Sequence, residues 1–143
     1  MNLHHARASY RRASQPEETI PSDPHAIVGV ALNELHTALS ALSRAAAANL
    51  PLPSTPMTRT LAAIYLLQSS LDFGRGGDIA PALFRVYEYC RLETLSAFRR
   101  ERDNADSAAG LARAAGFVAT LAESWANMDR SAIAAFRPAN PVM

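Results

Sequence analysis

Apolar positions recur along this chain at gaps of three, one and three residues, the signature of helices that bury one face. Val28, Ala31, Leu32, Leu35, Ala38, Leu39, Leu42, Ala45 and Ala46 fall on one such stripe. Asp23 followed by Pro24 suits an N-cap and a first-turn proline, so the first helix is predicted to open there. It stops before Leu50-Pro51-Leu52-Pro53, where two prolines enforce extended backbone. A second helix is predicted from residues 54–56 to about 73. Its centre, residues 61–67, is apolar on every face and therefore serves as core, groove or self-association surface. A third helix is predicted from about 79 to about 104. It carries Leu83, Val86, Tyr87, Cys90 and Phe98 on one side and Phe84, Leu92 and Leu95 on others, a width that implies more than one packing neighbour. The fourth, capped near Asp106 or Ser107, has Leu111, Ala114, Ala115, Val118, Leu121, Ala122 and Trp125 in phase.

Between the second and third helices lies Ser70-Leu71-Asp72-Phe73-Gly74-Arg75-Gly76-Gly77-Asp78. Its three glycines tolerate positive φ and suit a sharp reversal. Asp78 is predicted to cap the third helix and Pro81 to occupy its first turn. Four helices with short connections predict an all-α, antiparallel four-helix bundle, preceded by a short mobile N-terminal helix or segment. The predicted organisation is a mobile segment over 1–23, the bundle over 24–127 and a loose tail over 128–143.

Composition narrows the function. The apolar share is 49% with aromatics at only 7%, which favours close-packed alanine-rich helices over a sheet. Net charge is +1, with 14 basic residues, all arginine, against 13 acidic ones, so no basic footprint for nucleic acid exists. Arg99, Arg100 and Arg102 are interleaved with Glu101 and Asp103 and read as a solvated face. The single cysteine, Cys90, lies in an apolar stripe and reads as a buried thiol in a reducing compartment. The first residues lack the apolar run of a signal peptide, and no unbroken apolar run approaches a membrane span. A cytoplasmic protein without membrane insertion is expected.

Catalytic signals are weak. No glutamate has a histidine three residues on, so the di-metal bundle motif is missing. Glu34 and His36 face different sides of their helix. The Gly74-Arg75-Gly76-Gly77 loop lacks the Lys-Ser/Thr of a phosphate-binding loop, and Cys90 has no His or Asp at a recognisable spacing. No catalytic residue, metal or cofactor is expected.

The order of several features resembles the flagellar secretion chaperone family, the export chaperones of flagellin. Tyr10 is similar to the tyrosine of that family's N-terminal segment. Asp23-Pro24-His25-Ala26-Ile27-Val28 is similar to its first-helix opening. The central match is Ser70-Leu71-Asp72, then Gly76-Gly77-Asp78-Ile79-Ala80, then Leu83, then Tyr87 and Tyr89. The likeness spans roughly residues 10 to 126, with Ala31-Leu32-Asn33-Glu34 replacing the aromatic and acidic pair usual in the first helix.

The resemblance implies binding without catalysis. The implied partner is the disordered C-terminal segment of flagellin, which becomes helical along the chaperone, is kept from premature polymerisation, and is delivered to the flagellar type III export gate. A bundle masks such a segment by offering a groove for its residues at i, i+3, i+4 and i+7. Ile27, Val28, Ile64, Leu67, Leu71, Leu83 and Tyr87 are the expected groove residues, with the segment around Tyr10 lying over part of the groove without cargo. Each bundle residue among them also has a plain core reading. Flagellar regulators are further expected partners, and a homodimer stays open. The alternative is a divergent adaptor or chaperone for another flagellar export substrate or regulator.

Overall fold

The computed structural model describes residues 23–128. Four α-helices follow one another: α1 (Pro24–Ala47), α2 (Ser54–Ser69), α3 (Ile79–Phe98) and α4 (Asn104–Ala126). Each packs on two neighbours, α1 on α2 and α4, and α3 on α2 and α4, so the four close into an antiparallel bundle. Tyr10 and the rest of the N-terminal segment lie outside the described residues, as does most of the tail.

Helix α1 begins as the sequence predicts. Asp23 Oδ1 accepts a hydrogen bond from the His25 N–H at 3.1 Å, and Pro24 takes the first helical position. The buried face of α1 is Val28, Ala31, Leu32, Leu35, Ala38, Leu39, Leu42, Ala45 and Ala46, the whole of the expected stripe. By length and composition alone α1 could span a membrane. That stripe is instead buried within the bundle. Asn49 ends the helix with φ at 59°, as the Ala46 and Ala45 carbonyls accept from the N–H groups of Asn49 (3.0 Å) and Leu50 (2.9 Å). This pair of hydrogen bonds around a left-handed residue is the Schellman arrangement.

Two hydrogen-bonded contacts tie α1 to α4, one at each end. Ser43 Oγ donates to the Ala108 carbonyl at 2.9 Å. At the other end His25 Nε2 lies 2.8 Å from the Trp125 carbonyl, while Trp125 Nε1 donates to the His25 carbonyl at 2.7 Å. The two rings stack with centroids 5.0 Å apart. The core between the helices joins Leu35, Leu39 and Leu42 of α1, Ile64 and Leu67 of α2, Tyr87 and Cys90 of α3, and Leu111, Ala114 and Val118 of α4. A Cβ at Gly110 of α4 would stand 2.0 Å from Glu93 Oε1, so a larger residue there would displace the Glu93 carboxylate. The space it leaves holds the Glu93–Arg102 ion pair against the α3–α4 seam.

Three helix boundaries and one cap differ from the sequence reading. Helix α2 stops at Ser69 rather than near 73, where the Ser70 hydroxyl donates back to the Leu66 carbonyl at 2.7 Å. Asp72, not Asp78, organises the following turn: its Oδ1 accepts from the N–H groups of Gly74 and Arg75, both at 3.0 Å. Asp78 has helical dihedrals of −80° and −13°, which turn its side chain away from a capping position, and it makes no cap bond. Of the three loop glycines only Gly77 uses positive φ, at 54°. Helix α3 ends at Phe98 rather than near 104, and Asp103 caps α4 by accepting from the Asp106 N–H at 2.8 Å.

The end of α3 is a second Schellman turn, with Arg100 at φ 57° and bonds from Arg100 and Glu101 to the Ala97 and Ser96 carbonyls. A left-handed arginine costs about 1 kcal/mol that glycine does not pay. Arg100→Gly is therefore expected to stabilise the fold by about 0.5–1 kcal/mol, read as a higher midpoint in urea at unchanged slope. A lower midpoint would show that Arg100 makes a stabilising contact outweighing the strain.

Candidate partner-binding face

The positions of the expected groove residues are clear. Val28, Ile64, Leu67, Leu71 and Tyr87 are buried and belong to one core cluster, with Leu83 half-buried against it. Ile27 is half-buried near the start of α1. Tyr87 is 2% exposed, and burial first, then the nearby Cys90, raises its phenol well above the usual range. Burial likewise pushes the Cys90 thiol up to about 12, with the charge of Glu93 adding to it. A thiol held protonated in this way is a packing group and a poor nucleophile.

A different set of apolar side chains faces solvent. Phe84 and Leu92 project from α3, Tyr65 from α2, Phe117 from α4, and Phe73 and Ile79 flank the α2–α3 loop. Two ring pairs link some of them to neighbouring elements. Phe73 meets Phe84 edge-on with centroids 6.0 Å apart, and Tyr89 meets Phe117 in the same way at 5.7 Å. Helical spacing sets Phe84 and Leu92, eight residues apart, on the same side of α3. The result is an aromatic band centred on α3, reaching over α2 on one side and α4 on the other.

Polar groups brace this band. Gln68 of α2 donates to Glu88 of α3 at 3.1 Å, and Arg91 Nε donates to the same carboxylate at 3.0 Å. The hydrogen bond from Arg91, then that from Gln68, holds Glu88 down to about 2 from an ordinary 4.5. On the α4 side Arg113 Nε donates to the Tyr89 hydroxyl at 3.3 Å, fixing the tyrosine beside Phe117.

The lowered Glu88 value fixes the sign of one pH effect. A carboxylate whose folded pKa is depressed stabilises the fold above its unfolded pKa, and loses that contribution as pH falls toward its folded pKa. The window runs from about 4.5 down to about 2. Because the pair is at the surface its worth is at most about 1 kcal/mol. Glu88→Gln should lose less stability than the parent between pH 5 and pH 3 (roughly the titration window) in urea titrations. Identical acid slopes would remove Glu88 from the acid response.

Sequence reasoning passed over most of this band because its members are out of phase with the core stripes. Phe84 and Leu92 were legible as off-stripe apolar residues, and Phe117 sits one position before the core residue Val118. A large apolar residue out of phase on a helix whose stripe is already complete is the signal that finds them. Phe98 is the converse case. It shares the phase of Tyr87 and Thr94, yet at 62% exposed it is uncovered because α3 ends there.

Such a face has the chemistry of association: edge-on aromatic pairs, flanking arginines and an intervening polar bridge. Among the described residues no three His, Cys, Asp or Glu side chains gather as a metal site would require. Comparison with curated proteins and with solved structures gives no match. A protein-family model, described as flagellar protein FliS, matches residues 6–132, nearly the whole chain and all four helices. The chain belongs to the FliS family of flagellar export chaperones.

Proposed function

We propose that this protein binds the C-terminal segment of flagellin in the cytoplasm, prevents its premature polymerisation and assists its delivery to the flagellar type III export gate. The observation that carries this reading is the aromatic band on α2, α3 and α4, which stays exposed on a bundle whose core is otherwise complete. A disordered partner gives up conformational entropy when it folds on a surface, so a long apolar contact is needed to offset that cost. Helical anchors at i, i+3, i+4 and i+7 meet such a band along one side.

In this reading Phe73, Phe84, Leu92 and Phe117 touch the partner, with Ile27 and Leu83 extending the contact where they are half-exposed. Val28, Ile64, Leu67, Leu71 and Tyr87 hold the helices at the spacing the band requires. The segment around Tyr10 competes for the same face in the absence of cargo. Catalysis has no part in it.

Isothermal calorimetry with the C-terminal flagellin peptide of the same organism tests the proposal. Binding with a Kd near or below about 10 μM supports it, since 1 μM corresponds to about −8 kcal/mol. No heat at that concentration, with binding of another secreted flagellar protein instead, would transfer the role to that substrate.

A further inference from the structure

The band has an electrostatic sign, and it comes from arginines left over after the local carboxylates are matched. Glu88 is engaged by Arg91 and Gln68, and Glu93 by Arg102. Arg85 and Arg113 are exposed and form no ion pair with a described residue. Arg113 commits only its Nε, to the Tyr89 hydroxyl. Arg85 stands one helical turn before Tyr89, about 6 Å along the axis. The two guanidinium groups therefore border the Tyr89–Phe117 pair, one on α3 and one on α4. The nearest unmatched carboxylates on these two helices' N-terminal sides, Asp78 and Asp106, are each seven residues away, about 10 Å along the axis. The Tyr89 hydrogen bond first, and the charges of Glu93 and Asp106 after it, favour the Arg113 cation, but neither carboxylate pairs with it directly.

We infer that this face selects a helical partner segment whose apolar stripe is flanked by aspartate or glutamate, with Arg85 and Arg113 receiving the carboxylates. The inference rests on the proposed docking of a helix here, and adds to it the charge pattern that the partner must carry. A guanidinium donates two parallel N–H hydrogen bonds to a carboxylate, so the pairing fixes register as well as sign. The aromatic rings supply the buried area, and the arginines at its edge discriminate among apolar helices that would otherwise fit equally well.

Two synthetic peptides of about 20 residues, long enough for several helical turns, test the inference. Both carry leucines at i, i+3, i+4 and i+7; one has glutamates and the other lysines at the flanking positions. Fluorescence anisotropy at low salt should show the glutamate peptide binding about tenfold tighter, and the gap should shrink as added salt screens the edge charges. Arg85→Gln with Arg113→Gln should erase the preference, and Arg85→Glu with Arg113→Glu should invert it, with melting curves confirming that both variants fold. Equal affinities, or a lysine preference in the parent protein, overturn the inference. If the flagellin peptide binds while the synthetic pair is not discriminated, the proposed function stands and the charge rule falls. If no peptide binds, both fall.

Discussion

Leu39→Ala should be the most damaging single truncation in the bundle, lowering stability by about 2–5 kcal/mol. Leu39 is fully buried near the middle of α1, in line with Leu35 and Leu42, which are also fully buried. Helix α1 packs on both α2 and α4, so the cavity would open where three helices meet. Close-packed interiors relax only partly around such a loss, and the missing contacts add to the missing transfer energy. For a domain of this size the melting temperature should fall by roughly 8–20 °C. Phe98→Ala is the matched control, because Phe98 is a larger side chain but 62% exposed, and should stay within about 0.5 kcal/mol of the parent. A Leu39→Ala shift of less than about 3 °C would mean that the α1 seam is not the mechanical centre of the fold.

The contrast between Leu39 and Phe98 also shows which parts of this fold could be read from the chain. Burial along α1 follows from phase alone, because the stripe is narrow, flanked by polar residues, and opened by an Asp-Pro pair whose cap bond forms as expected. The end of α3 gave no such signal. Its left-handed residue is Arg100, and nothing in an arginine announces a helix stop when local backbone bonds impose it. Two aspartates compete for the role of loop organiser, and the winner depends on backbone dihedrals: Asp72 precedes the turn it caps, whereas Asp78 has already entered helical geometry. The candidate face was harder still. Leu71 and Phe73 are both apolar and two residues apart, yet one is 3% exposed and the other 52%. Periodicity marks apolar residues as candidates for burial. It does not say when the bundle has enough of them, and the surplus stays exposed.

That surplus leads to the largest expected effect on binding. Phe84→Asp combined with Phe117→Asp should weaken binding of the flagellin peptide by at least about 30-fold, since even one central aromatic anchor contributes about 2 kcal/mol or more. The two rings anchor different parts of the band, Phe84 against Phe73 toward α2 and Phe117 against Tyr89 on α4. Each substitution removes apolar contact area and leaves a carboxylate that must be desolvated when a partner helix lies over it. Folding should change little, because both rings project from finished helices and are already exposed. Leu71→Ala gives the opposite signature: Leu71 is buried, so the melting temperature should drop while binding by the folded fraction is retained. Circular dichroism melts and calorimetry on the same samples separate the two. Peptide affinity within twofold of the parent in the double variant, with its fold intact, would place the cargo surface elsewhere on the bundle and remove the aromatic band from the binding reaction.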